Sequence, residues 1–126
     1  MEGLFLEQTK STPRIDFNAD SNILIINGES YPENSFMFFQ PILNWLDDYF
    51  ENIDNDCETT VELKLPYINT SSSKCIMMIL DKIEEAGNND KKVVVNWYCD
   101  KDNESEMECA EEFKEFVDID FNIVLR

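Results

Sequence analysis

The chain has 126 residues, 43% hydrophobic and 12% aromatic with only 3 Gly and 4 Pro, a composition that folds around one core and leaves no room for a second domain. Acidic residues outnumber basic ones 27 to 10, and the formal charge of −17 repels a nucleic-acid backbone or an anionic lipid surface at long range. Histidine is absent, which removes Ser-His-Asp and Cys-His nucleophile pairs, histidine phosphorelay and His-ligated zinc together.

Met1 to Ser11 carry weak periodicity and are left open between a loose arm and a short extra strand. Two runs rich in Ile and Leu, Arg14 to Phe17 and Asn22 to Asn27, flank the turn residues Asn18-Ala19-Asp20-Ser21 and predict an antiparallel hairpin. The loop from Gly28 to Ser35 leads into a helix ending near Glu51, with Ser30, Asn34 or Ser35 as its N-cap. Two apolar stripes run along that helix. Phe36, Phe39, Leu43, Leu46 and Phe50 form one, and Phe38, Ile42, Trp45 and Tyr49 form the other, either as more core or as an exposed partner surface. Pro41 falls inside the pattern and predicts a kink or a late helix start.

After an acidic connection, Val61, Leu63 and Leu65 alternate with Glu62 and Lys64 as a strand. That strand runs through Tyr67 and Ile68 into five consecutive polar residues, Asn69 to Ser73, with Lys74 behind them. The next helix shows Ile76, Ile79, Leu80 and Ile83 on one face, widened by Met77 and Met78, and stops at Ala86-Gly87-Asn88. Val93 to Val95 read as a buried strand reaching Trp97 and Tyr98. Beyond the acidic loop Asp100 to Glu106, a helix turns Met107, Ala110, Phe113 and either Phe116 or Val117 inward. Ile119 to Leu125 supplies the last strand.

The order strand, strand, helix, strand, helix, strand, helix, strand specifies an α/β fold: a mixed, mostly parallel sheet with right-handed crossovers, the first strand antiparallel at an edge. Cys57, Cys75, Cys99 and Cys109 form no CxxC pair, and Cys75 lies on the apolar stripe of its helix. No basic segment followed by an apolar run opens the chain and nothing approaches ~18 consecutive apolar residues, so a reduced, cytoplasmic setting is expected.

Two segments carry candidate chemistry. Asp100, Asp102, Glu104 and Glu111 fall at the first, third, fifth and twelfth places of an EF-hand loop, but Ser105 stands where that loop needs Gly and a strand precedes it. A solvated loop with carboxylates at a helix N-terminus explains the same residues. No Gly-rich phosphate loop is present and acidic pairs are frequent by chance at a net charge of −17, so no catalytic residue, metal ligand or cofactor is assigned. The second segment is the hydroxyl cluster. One of Asn69, Thr70 or Ser71 caps the helix, and a hydroxyl there can also accept a phosphate, because a helix N-terminus offers free N–H groups and its positive dipole end. Lys74 is mildly unfavourable in a first turn unless an anion lies near it.

Gly28-Glu29-Ser30-Tyr31-Pro32-Glu33-Asn34-Ser35, Trp45-Leu46, Tyr67-Ile68-Asn69-Thr70-Ser71-Ser72-Ser73-Lys74 and Trp97-Tyr98, spanning nearly the whole chain in order, resemble the SiaC family of bacterial regulatory phosphoproteins. Cys109-Ala110 departs from the Gly expected there. The resemblance implies a STAS-like fold, similar to anti-sigma-factor antagonists, and partner switching. A histidine-kinase-like ATPase phosphorylates such a protein, a PP2C-type phosphatase reverses it, and the unmodified form engages a target such as a diguanylate cyclase. The acceptor it implies is Thr70, with Ser71 and Ser72 as alternatives and Asn69, Ser73 and Lys74 around it. Ser30, Tyr31, Pro32, Glu33, Asn34 and Tyr67 are the expected partner-binding residues, joined by the second aromatic stripe. The competing expectations are an acidic calcium- or magnesium-binding protein, a carboxylate-based hydrolase at Asp100, Asp102 and Glu104, or a constitutive interaction module.

Overall fold

In a computed structural model describing residues 1–126, nine elements build two layers: β1 (Leu4–Leu6), β2 (Arg14–Asn18), β3 (Ile23–Asn27), α1 (Ser35–Asn52), β4 (Glu58–Lys64), α2 (Thr70–Asn88), β5 (Lys92–Cys99), α3 (Glu104–Phe116) and β6 (Asp120–Leu125). The six strands lie in sequence order, β1-β2-β3-β4-β5-β6. The first two pairings are antiparallel and the next three parallel. Met1 to Ser11 therefore hold a short strand, and the sheet opens with three antiparallel strands where a hairpin was expected.

Each parallel strand pairs with the next one in the chain, so successive right-handed crossovers place all three helices on the same face of the sheet. The burial pattern agrees: Ile15, Phe17, Leu24, Ile26, Val61, Leu63, Val95, Trp97 and Phe121 join the inward residues of all three helices in one cluster. The opposite face carries Asp16, Glu62, Asn96 and Asn122, none of them buried. This one-sidedness corrects the reading of Val93 to Val95 as uniformly buried. Val95 is fully covered while Val94, on the opposite face, is half-buried because only one side of β5 meets helices; Val93 shares the face of Val95 and packs on the core at its edge, half-buried.

Helix α1 is capped by Asn34, whose side-chain oxygen accepts the Met37 N–H at 3.0 Å. It runs unbroken through Pro41. The carbonyl that Pro41 leaves without a donor belongs to Met37, 73% exposed, so water can satisfy it. The two stripes do not divide into core and partner surface. Ile42 and Tyr49 of the second are fully buried, and Trp45 stacks on Tyr49 while its indole N–H donates to the Glu2 carbonyl at 2.9 Å. Exposure falls on Phe36 of the first stripe and on Met37, both in the first turn of α1. At the end of α3 the inward residue is its C-cap Val117, packed against the core, whereas Phe116 is 75% exposed.

Candidate functional site

The carboxyl ends of β3 and β4 carry the expected switch segments, and the backbone ties them together past the strand ends. Gly28 N–H donates to the Lys64 carbonyl at 2.9 Å, Ser30 N–H to Tyr67 at 2.8 Å, and Asn69 N–H to Ser30 at 2.9 Å, closing a parallel bridge between Ser30 and Ile68. Gly28 has φ of +135°, and a Cβ there would stand 2.8 Å from the Gln8 amide nitrogen and 3.1 Å from Pro13 Cα, so both backbone and space demand glycine.

Asn69 is the cap of α2. Its side-chain oxygen accepts the Ser72 N–H at 2.9 Å and its carbonyl accepts the Ser73 N–H at 2.9 Å. The Thr70 and Ser71 N–H groups are left without an acceptor in the chain. A knot of hydroxyls lies beneath them: Ser72 Oγ is 2.8 Å from Ser30 Oγ and 3.1 Å from Ser35 Oγ, and Ser35 Oγ is 2.7 Å from Ser71 Oγ. Ser30 and Ser72 are fully buried and Ser35 nearly so. Each hydroxyl satisfies another, which is the condition for keeping polar groups in a core. This knot was not anticipated from the sequence, since 36 to 42 residues separate its halves; the only signal was the serines in each motif.

The five polar residues thus divide by exposure. Thr70 is exposed, Ser71 and Ser73 are half-buried, and Ser72 is enclosed. Lys74 is exposed, one turn after Thr70, and forms no ion pair within the chain. Of the expected partner residues, Ser30 is interior and serves to hold Ser72. Asn34 is exposed but engaged as a cap, Glu33 is exposed, and Tyr31 meets the half-exposed Tyr67 edge-on at 6.0 Å between ring centres. Pro32 is half-buried beside them.

The acidic loop behaves differently. Asp100 Oδ1 accepts the Asp102 N–H at 2.9 Å, Asn103 caps α3 by accepting the Glu106 N–H at 3.1 Å, and Glu104 lies in the first helical turn. No three carboxylate or thiol groups of the chain converge as metal ligands would. The carboxylate that matters is Glu106, buried, 2.6 Å from the Lys64 ammonium and accepting the Asp100 N–H at 3.2 Å. Burial first, and then the Glu106 charge, push the Cys99 thiol up to about 11, so it stays protonated and inert. Burial likewise raises Cys75, the core residue of its helix stripe. No helix is long and apolar enough to cross a membrane.

Fold and site together define a one-sided α/β protein that presents an unengaged hydroxyl at a helix start and carries no converging set of metal-ligating groups. The chain belongs to the SiaC family of regulatory phosphoproteins, whose model matches residues 6–126. It is 37% identical over 123 residues to an uncharacterized protein of Pseudomonas aeruginosa strain UCBPP-PA14, covering 98% of this chain and 96% of that one. Two solved structures resemble it throughout. The crystal structure of apo-SiaC from Pseudomonas aeruginosa matches with a TM-score of 0.91 at 35% identity over 98% of this chain and 99% of that one. SiaC in the crystal structure of the diguanylate cyclase SiaD in complex with its activator SiaC, from the same organism, gives 0.92 at 36% identity with the same coverage.

Proposed function

We propose that this chain is a non-enzymatic, cytoplasmic partner switch of one domain, in which a phosphate on Thr70 controls engagement of a diguanylate cyclase. The observation that carries the reading is the state of Thr70: exposed, first residue of α2, beside two N–H groups that lack acceptors. Ser72 is a poorer acceptor because a kinase would have to open the buried knot to reach it, and Ser71 is tied to Ser35 and Asn69. The kinase is of the histidine-kinase-like ATPase type and the opposing enzyme a PP2C-type phosphatase. The cyclase as target is supported by similarity to SiaC, seen with the cyclase SiaD that it activates.

Phosphorylation adds about −1.5 to −2 charges at a helix N-terminus, where the dipole and the free N–H groups favour an anion by roughly 0.3 to 2 kcal/mol. Lys74, four residues on and on the same side of the helix, is within reach as a counter-ion. The modified protein therefore keeps its fold. A target that covers Thr70 must instead desolvate the added charge, and each ~1.4 kcal/mol of that penalty lowers affinity tenfold. Exposed Phe36, Met37 and Tyr67 give the unmodified surface apolar contact area around the switch.

The reading is tested by intact-mass measurement after co-expression with the kinase, and by titration with the source organism's own homologue of SiaD. Wild type gains one phosphate and Thr70→Ala gains none while its circular dichroism stays native; Thr70→Glu binds the cyclase at least about tenfold more weakly than Thr70→Ala. Undiminished labelling of Thr70→Ala overturns the assignment.

A further inference from the structure

The two edges of the sheet are unequal. β1 offers three residues to a neighbouring strand, Leu4–Leu6, whereas β6 offers six, Asp120–Leu125. Arg126 continues the β6 ladder: its N–H donates to the Cys99 carbonyl at 3.0 Å and its carbonyl accepts the Lys101 N–H at 3.0 Å. In a parallel ladder the N–H and C=O of one residue point to the same side, and the side alternates along the strand. Asp120, Asn122 and Val124 therefore bond to β5 with Arg126, and the backbone groups of Phe121, Ile123 and Leu125 point away from the sheet. None of the loop, cap or side-chain hydrogen bonds reaches them. The strand has no proline, lysine or bulge, the devices that blunt an edge.

We infer that β6 is a self-association edge, on which two copies of this chain pair antiparallel about a two-fold axis at Ile123 and join their sheets into one. The strand is self-complementary in that register. Ile123 stands opposite itself, Phe121 opposite Leu125 and Asp120 opposite Arg126, so outward N–H groups meet outward carbonyls and each strand end matches an acid to a base. The side chains agree. Phe121, Ile123 and Leu125 share the helix-bearing face, and Leu125, 53% exposed in the single copy, comes to lie beside the second copy's Phe121.

Local charge singles out a second copy as the occupant. Asp118 and Asp120 at one end of β6 face Arg126 of the second copy at the other, twice over by symmetry. Cys109, Glu112 and Phe116 of α3 point toward α2, so the flank above the β6 edge carries Met107, Glu111 and Lys114, the only lysine of that helix. The net charge of −17 on each copy still opposes approach at long range, which makes the pair weak and promoted by salt. The axis stands perpendicular to the sheet, so both helix layers share a face and the two Thr70 ends point in opposite directions, clear of the interface. Self-pairing is therefore independent of the function proposed above.

The test is sedimentation equilibrium of the full chain over a concentration series, with amide hydrogen exchange. Dimerisation strengthens as salt rises from about 0.01 to 0.15 M and the Debye length falls from roughly 30 to 8 Å, and the Phe121, Ile123 and Leu125 amides gain protection with concentration. Arg126→Asp, which sets acid against Asp120, weakens the dimer about tenfold, and adding Asp120→Arg restores it at unchanged net charge. Leu125→Lys weakens it, whereas Phe5→Lys, the same charge change at a 55% exposed residue of β1, does not. A chain that stays monomeric at every salt and concentration overturns the inference, as does a dimer that tolerates both Arg126→Asp and Leu125→Lys or gains its protection on β1 or the helices. Protection of the β6 edge that appears only when the source organism's homologue of SiaD is added assigns the edge to another chain and overturns self-pairing too.

Discussion

The starts of α2 and α3 are built on the same plan and reach opposite electrostatic states. Each follows the carboxyl end of a parallel strand, and each is capped by an asparagine whose side chain accepts the N–H three residues on, Asn69 to Ser72 and Asn103 to Glu106. The first turn of α3 carries Glu104 and Glu106, which answer the positive end of that helix from within the chain. The first turn of α2 carries no carboxylate in a protein with 27 of them, and has three hydroxyls in their place. One helix end is electrostatically complete. The other leaves its positive end open to an anion, as the proposed phosphate on Thr70 requires.

The largest expected effect breaks the completed end. Lys64→Met leaves the Glu106 carboxylate, 2% exposed, without its cation, and urea unfolding should show a loss of about 3 to 5 kcal/mol. Lys82→Met, at the more exposed pair with Asp47, should lose less than about 1 kcal/mol. Equal losses would mean that burial does not set the value of these pairs.

A smaller effect separates the knot from the switch. Ser72→Ala removes the hydroxyl that both Ser30 and Ser35 contact and should destabilise by about 1 to 3 kcal/mol, whereas Thr70→Ala, at an exposed hydroxyl, should stay within about 0.5 kcal/mol. A Thr70→Ala loss as large as that of Ser72→Ala would place Thr70 in the scaffold.

The smallest effect reads the contrast itself. Thr70→Glu should stabilise the fold by about 0.3 to 1 kcal/mol at low ionic strength and lose that gain in salt, because it supplies the missing anion. Ser105→Glu, in the first turn of α3 where two carboxylates already stand, should gain nothing. Equal gains from the two substitutions in thermal unfolding would erase the distinction.

Much of this was legible in the chain. Alternation of Val61, Leu63 and Leu65 marks β4 because a strand covered on one face must alternate, and the Asn69 cap follows from its place before an apolar-periodic run. The acidic loop invited a metal reading because spacing along a chain counts residues but not the direction of carboxylates. In the folded protein Asp100 is occupied with the Asp102 amide and Glu106 turns inward to Lys64. The second aromatic stripe was equally ambiguous, since periodicity reports a helix face and not what covers it; the N-terminal segment covers Trp45 through the Glu2 carbonyl.

By itself the sequence determined the exclusions, the order of elements after the first eleven residues, and the polar segment Asn69 to Ser73 at a strand–helix junction, since these depend on composition and local periodicity. The resemblance preferred Thr70, and only the tertiary structure supplied the physical difference between it and Ser72. Their positions on one helix are distinguished by what lies against them, and the serines that enclose Ser72, Ser30 in the loop after β3 and Ser35 at the start of α1, stand 42 and 37 residues away in the chain, brought there by the pairing of β3 with β4. Exposure is a property of the assembled fold, and here exposure divides the hydroxyl that holds the structure from the one free to carry a signal.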